Sequence, residues 1–261
     1  MKTANAIAFV ALTTVSTFGV ANTAHAGFGF DMNQGQAYEE DMGITTTVEN
    51  TVTVDFNDQL GNTTGFTETF EDGSSATYSF EDNSGTSSVR QNEWAPANIN
   101  GTVNEENPYL AIFPGDSVTI SLNDTANYFG FNWGSVSQNN RIEFYNGNLL
   151  VAAFQSAGDD PEEEVEGQAE LQRRWEQVAG ADTDIKFWEE ADAYLEFWAT
   201  TEDSLFDSVI MSQLNSTGGG FESDNHSFLM SEKAYSVPEP GMVVGLVAVA
   251  GLVAKKSVKK S

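Results

Sequence analysis

The chain has 261 residues, no cysteine, 39 Asp plus Glu against 11 Lys plus Arg, and a formal net charge of −28 at pH 7. The missing cysteine excludes a disulfide framework, a thiolate nucleophile and a zinc–thiolate centre. The acidity excludes nucleic acid as a partner, repels anionic lipid and draws divalent cations, although solubility in salty surroundings is a better explanation of it than dedicated cation capture.

Residues 1–26 read MKTANAIAFVALTTVSTFGVANTAHA, with Lys2 ahead of an apolar run and Ala24-His25-Ala26 at its close. A charged start, a greasy middle and a small-x-small finish make a secretory signal peptide. The expectation is export by the Sec machinery and cleavage by signal peptidase between Ala26 and Gly27. A mature body from Gly27 to Val237 keeps 38 of the acidic residues and 6 of the basic ones, a net charge of −32 over 211 residues. That length is enough for one domain with its own core.

After an N-terminal lead-in, 27–43, the pattern from 44 to 232 is that of strands. Val52-Val54-Phe56, Phe66–Phe70 and Ala76-Tyr78-Phe80 alternate apolar with polar, as do Val118-Ile120-Leu122 and Phe129-Phe131-Trp133. Ile142-Phe144 and Leu150-Ala152-Phe154 flank Asn146-Gly147, a strong hairpin signal. Ala193–Ala199, Phe206–Met211 and His226–Met230 complete the set. Many short alternating strands with polar turns predict an all-β protein: an antiparallel β-sandwich, jelly-roll-like in outline. One stretch differs. In 159–184, Leu171, Trp175 and Val178 fall at helical spacing, which predicts one short amphipathic helix in an excursion between strands.

The tail, 233–261, has three parts. Val237-Pro238-Glu239-Pro240 is followed by 14 uncharged residues from Gly241 to Ala254, then Lys255, Lys256, Lys259 and Lys260. As a helix the apolar part spans about 21 Å of a hydrocarbon layer about 30 Å thick. It is short for a lasting anchor, and the lysines would hold its end on the cytoplasmic side. This order resembles the sorting signal of the PEP-CTERM family of bacterial surface proteins, although that family often carries Arg where this tail has only Lys. The resemblance implies a Gram-negative host, transient inner-membrane contact and cleavage by an exosortase near Pro238-Glu239-Pro240. Within the body, Tyr109-Leu-Ala-Ile-Phe113, Tyr128–Ser135, Ile142–Gly147 and Gly220–Phe228 look like a recurring domain of such exosortase-dependent proteins. That likeness runs from about Thr53 to Phe228. It implies an extracellular β-sandwich and carries no catalytic residue over.

Chemistry-bearing residues are few. His226 is the one histidine of the mature body, and a hydrolase would have to pair it with a serine such as Ser117 of Gly115-Asp116-Ser117. Pro114-Gly115-Asp116 is an ordinary turn, and nothing resembles Gly-x-Ser-x-Gly. Carboxylate pairs suited to glycoside hydrolysis are uninformative among so many acids. Trp94, Trp133, Trp188 and Trp198 could frame a sugar cleft, with Trp133 and Trp198 better explained as core. Calcium is the better candidate, because it takes hard oxygen donors from loops. Asp55 and Asn57 near the first strands, and Glu222, Asp224 and Asn225 before the last, are the candidate ligands of a structural Ca2+. Leu60 and Phe66 rule out an EF-hand at the first of these. The resulting expectation is a non-enzymatic surface or matrix protein, adhesive or structural in an extracellular polysaccharide. Its rivals are a carbohydrate-binding module and a secreted hydrolase.

Overall fold

Alternation sustained from Ser117 to Gly134 produces a single strand of 18 residues, and the rest of the fold is arranged around it. In the computed structural model, which describes residues 27–33, 35–38, 42–98, 100–134, 137, 139–156, 193–214 and 219–236, this is the ninth of fourteen strands. Before it come β1 (Phe28–Asn33), β2 (Gln36–Ala37), β3 (Ile44–Thr45), β4 (Val52–Val54), β5 (Gly65–Thr69), β6 (Ser75–Glu81), β7 (Ser88–Arg90) and β8 (Tyr109–Ile112). After β9 come β10 (Asn140–Asn146), β11 (Leu149–Gln155), β12 (Ala193–Ala199), β13 (Phe206–Gln213) and β14 (Phe221–Met230). The expected signal peptide, the helical excursion 159–184, the candidate platform residue Trp188, and the tail from Val237 lie outside the described residues. Among the described residues no helix is long and apolar enough to cross a membrane.

The architecture is an all-β antiparallel sandwich. The first half of β9 runs between β6 and β13, pairing Ile120 with both Tyr78 and Val209. Its second half runs between β12 and β14, pairing Phe129 with both Phe197 and Phe228. One layer is therefore β5-β6-β9-β13-β10-β11 and the other β1-β12-β9-β14-β8-β7, with β4 also on β14. A long strand that serves both layers is a common way for a sandwich to turn a corner.

Between the layers lies a core rich in phenylalanine. Phe144 sits 4.7 Å from Phe28 and 5.0 Å from both Phe197 and Phe206, and Phe129 reaches it at 6.1 Å from the middle of β9. Each fully buried ring stabilises the fold by about 2–3 kcal/mol, which lets packing hold a chain that has no disulfides.

Three boundaries differ from the sequence reading. The lead-in 27–43 contributes β1, whose Phe28, Phe30 and Met32 enter the core while its backbone pairs with β12. The two strands expected at Ser117–Leu122 and Phe129–Trp133 are one, because Asn123–Asn127 stays extended through the bend. The last strand begins at Phe221, so Glu222, Asp224 and Asn225 lie within a strand rather than in the loop before it. The expected hairpin forms, with Gly147 and Asn148 as its two loop residues and Gly147 at φ 56.

Candidate functional site

β14 carries one residue too many for its partner. Asp224 faces Asn132 and Ser227 faces Gly130, so Asn225 and His226 together oppose Phe131. This is a β-bulge, with Asn225 at φ 49, a conformation that asparagine tolerates better than most residues. The bulge resets the side-chain alternation. Phe221 and Ser223 point into the core before it, and His226 and Phe228 do so after it. Asp224 and Ser227 are left on the outer face.

On the inner side His226 is fully enclosed. Its Nδ1 lies 3.0 Å from the Tyr78 hydroxyl and its Nε2 lies 3.0 Å from Ser223 Oγ. The rings of Phe56, Phe129 and Phe131 pack against it edge-on at 5.0, 5.5 and 5.9 Å. A neutral imidazole donates from one nitrogen and accepts at the other, so both nitrogens are satisfied. Burial pushes its pKa down to about 3. Phe56 holds its place in this cage at φ 58, unusual for a bulky side chain, and its neighbours have to offset the strain.

On the outer side a polar layer is buried as well. Asn132, Asp224 and Asn225 are completely inaccessible, and Asn107 nearly so. Asp224 Oδ1 accepts the Asn225 backbone N–H at 2.7 Å, and Oδ2 accepts Asn107 Nδ2 at 2.7 Å. Burial raises the Asp224 pKa well above the usual carboxylate range. The Asn107 and Asn225 donors offset part of that rise, and the Asp55 charge adds to it. Asn132 Nδ2 donates to Ala97 O at 3.0 Å. Asn225 Nδ2 donates to Met42 O at 2.8 Å and Ile44 O at 3.1 Å. The Oδ1 atoms of both amides are buried with no hydrogen-bond partner.

What covers this layer is a strap, Met42–Thr46, held mainly by polar contacts. Besides the two bonds from Asn225, Thr45 Oγ1 lies 3.3 Å from Ser227 Oγ. Glu196 Oε1 accepts from the Tyr128 hydroxyl at 2.6 Å and from the Thr46 hydroxyl at 2.9 Å. The close approach depends on Gly43, at φ 87. A Cβ there would sit 2.8 Å from Asn132 Nδ2, 2.9 Å from Asn225 Nδ2 and 3.3 Å from Asp224 Oδ2. Three side-chain ends thus converge on one glycine.

The candidate residues named from sequence separate here. β4 pairs with β14, His226 facing Val54, which carries Asp55 close enough to act on Asp224. The two acidic stretches, 167 positions apart in the chain, are neighbours. Their side chains nevertheless do not form one cage, and among the described residues no three His, Asp or Glu groups converge to hold a metal ion. Asp55 is occupied by Asn57, through its backbone N–H at 3.2 Å and its Nδ2 at 2.8 Å, and by the Tyr38 hydroxyl at 3.3 Å. Asp55 and Asn57 instead line an open polar cleft of about 270 Å³ with Asp58 and Glu68. Glu222 shares the outer face with Asp224, two residues away and opposite Gly134. Sequence reasoning missed Asn132, Asn107 and Gly43. In the Phe129-Phe131-Trp133 alternation Asn132 falls on the opposite face, and no local signal announces that this face is covered too.

The serine–histidine pairing does not form. The Ser117 hydroxyl donates to Glu81 at 3.3 Å, while both His226 nitrogens are engaged elsewhere. Asp116 turns back to hold the β6–β7 loop, accepting the N–H groups of Asn83 and Ser84 and the hydroxyls of Ser84 and Ser87. Trp133 is core, as expected, and Trp198 lies half-buried across Gly29 and 6.3 Å from Tyr235. Trp94 is 56% exposed. No protein-family model matches this chain, and a search of curated proteins returns no match.

Proposed function

We propose that this is an exported, non-enzymatic surface or extracellular-matrix protein, released from the inner membrane when an exosortase cuts its tail. The observation that carries the reading is the order of the C-terminal segment: Pro238-Glu239-Pro240, an apolar stem of 14 residues, then four lysines among the last seven residues. A stem too short to stay comfortably in a bilayer suits a signal that is read and removed. The body fits such a role. It is a β-sandwich with 38 acidic residues against 6 basic ones, a charge that keeps it soluble and keeps neighbouring copies from aggregating in a hydrated polysaccharide. The role is adhesive or structural, with loops touching glycans or neighbouring proteins.

Intact-mass measurement on protein from its own cells, combined with fractionation, tests this. The expected product begins at Gly27, ends near Pro240 and is found outside the inner membrane. A product that keeps Lys255–Lys260 and stays in the inner membrane of a cell with a working exosortase overturns it.

A second reading, a discrete carbohydrate-binding module, is favoured by Trp94. Among the described residues it is the one aromatic side chain left largely exposed, on a turn where the Trp94 backbone N–H donates to Asn92 Oδ1 at 2.9 Å. A rigid exposed indole is the kind of platform on which a sugar ring stacks. Binding to a glycan array that disappears in Trp94→Ala supports this reading, and binding unchanged by the substitution removes it.

A further inference from the structure

We propose that Asp224 and the side-chain oxygens of Asn132 and Asn225 bind a calcium ion beneath the Met42–Thr46 strap.

The argument starts from the two amides. Each could in principle be turned over, but their nitrogens are committed to backbone carbonyls: Asn132 to Ala97, and Asn225 to Met42 and Ile44. Turning either would set a carbonyl against a carbonyl. Their Oδ1 atoms are therefore fixed as acceptors, fully buried and with nothing to accept from. A buried polar atom left in that state costs roughly 1–3 kcal/mol. Asn132 stands opposite Asp224 in the β9–β14 register and Asn225 follows it in the chain, so the two atoms belong to immediate neighbours of a third acceptor that bears a charge, while the nitrogen ends of both amides face Gly43. The carboxylate of Asp224 has only two N–H donors, and the charge acting on it through space is another carboxylate, Asp55. A group of oxygens with unfilled lone pairs, a negative charge and few donors calls for a cation.

The donor set selects the ion. Carboxylate and amide oxygens are hard ligands, and a dehydrated, irregular setting between a bulged strand and a strap suits Ca2+, which accepts flexible geometry. Mg2+ demands a near-ideal octahedron and keeps its waters. A single carboxylate places the affinity in the weak class typical of extracellular modules, about 0.1–1 mM. Such a site stays filled outside a cell rather than within it. The net charge of −32 raises the local calcium concentration but does not discriminate between divalent ions.

Thermal unfolding of the whole chain, purified in EDTA, reads the proposal. CaCl2 should raise the melting temperature through the 0.1–10 mM range and then saturate, while MgCl2 at equal ionic strength should not. At tenfold above half-saturation the folded state is favoured by a further factor of about 11. Asp224→Asn keeps an acceptor for Asn107 and should abolish the calcium-specific rise. Asn132→Asp adds a carboxylate and should move half-saturation to about tenfold lower calcium while melting earlier in EDTA. If Asp224→Asn fails to fold, Asn132→Asp alone decides. Equal, unsaturating rises with both ions mean diffuse condensation on an acidic surface and overturn the site. So does a calcium response that persists in Asp224→Asn, or a half-saturation unchanged in Asn132→Asp. Tail processing is read on a different measurement, so either proposal can fail alone.

Discussion

The two sides of the bulge in β14 bury polar groups in opposite ways. Toward the core, His226 has a partner at each nitrogen and aromatic edges around its ring. Toward the strap, Asp224, Asn132 and Asn225 are equally inaccessible, yet two amide oxygens go without a donor and a carboxylate lies within the field of another. A satisfied polar group fixes strand register at little cost, because wrong registers leave its partners unpaired. An unsatisfied one is a standing cost unless something else fills it. One insertion in one strand produces both environments, because it sends His226 inward while leaving Asp224 outward.

The inner side should fail hardest when cut. His226→Ala leaves the Tyr78 and Ser223 hydroxyls unpaired and opens a void among three phenylalanines, a loss of about 3 kcal/mol measurable by urea unfolding. The same side makes the protein acid-sensitive. His226 has a folded pKa of about 3, below the value of about 6.5 for an unfolded chain, so its contribution is complete above that unfolded value. As pH falls from about 6.5 toward 3 the unfolded chain takes up a proton that the folded one refuses, and stability declines. At pH 5 the loss is about 2 kcal/mol, and His226→Gln should flatten that limb of the stability–pH curve. A curve of the same steepness in the variant would show that other groups titrate there.

Gly43 tests the outer side. Alanine at φ 87 is strained, and its methyl group would press on the Asn132 and Asn225 amides. Gly43→Ala should cost about 2 kcal/mol and speed amide exchange along Ile44–Thr46 before it touches β9. Uniform loosening of the whole sandwich would mean that the strap and core are one cooperative unit.

How much of this contrast was legible in the sequence depends on the range of the interactions. The strand pattern of Val118-Ile120-Leu122 and Phe129-Phe131-Trp133 was readable because alternation is local. Asp224 and Asn225 stood out because a cluster of oxygen donors is local too. The bulge was not readable: it is a mismatch between β14 and β9, visible only when Asp224 and Ser227 are set against Asn132 and Gly130. Nor could β1 be seen in the lead-in, since Phe28, Phe30 and Met32 count as core only once β12 lies beside them. The pairing that carries Asp55 to Asp224 spans most of the body and leaves no trace in either stretch.

Asp224→Asn gives a smaller effect of opposite sign. A carboxyl whose folded pKa is raised contributes stability at pH values below its unfolded pKa, and that contribution is lost as pH rises through the folded value. At neutral pH without calcium it is therefore a cost. Asp224→Asn should stabilise the protein in EDTA at pH 7, and by less as the pH is lowered, with the lost acceptor for the Asn225 N–H offsetting part of the gain. The His226 variant loses stability at neutral pH and this one gains it, which is the sharpest form of the contrast. A loss in EDTA at pH 7 would place Asp224 on the satisfied side of β14.

The finest test concerns the far end of the strap, where the polar contacts are complete. Glu196 there accepts two hydroxyls, and the Val48 N–H donates to Thr46 Oγ1 at 2.9 Å. Thr46→Val keeps the shape and removes those two roles of the hydroxyl along with a third, as a neighbour of the Tyr128 hydroxyl at 2.6 Å, for a loss of about 1 kcal/mol. The change should register as faster exchange at Val48 and leave calcium half-saturation where it was, because Thr46 belongs to the Glu196 contacts and not to those of Asp224. A shift in calcium response on Thr46→Val would instead join the two ends of the strap into one site. The distinction between complete and incomplete polar layers would then lie between the core and the whole strap, not between two ends of one strand.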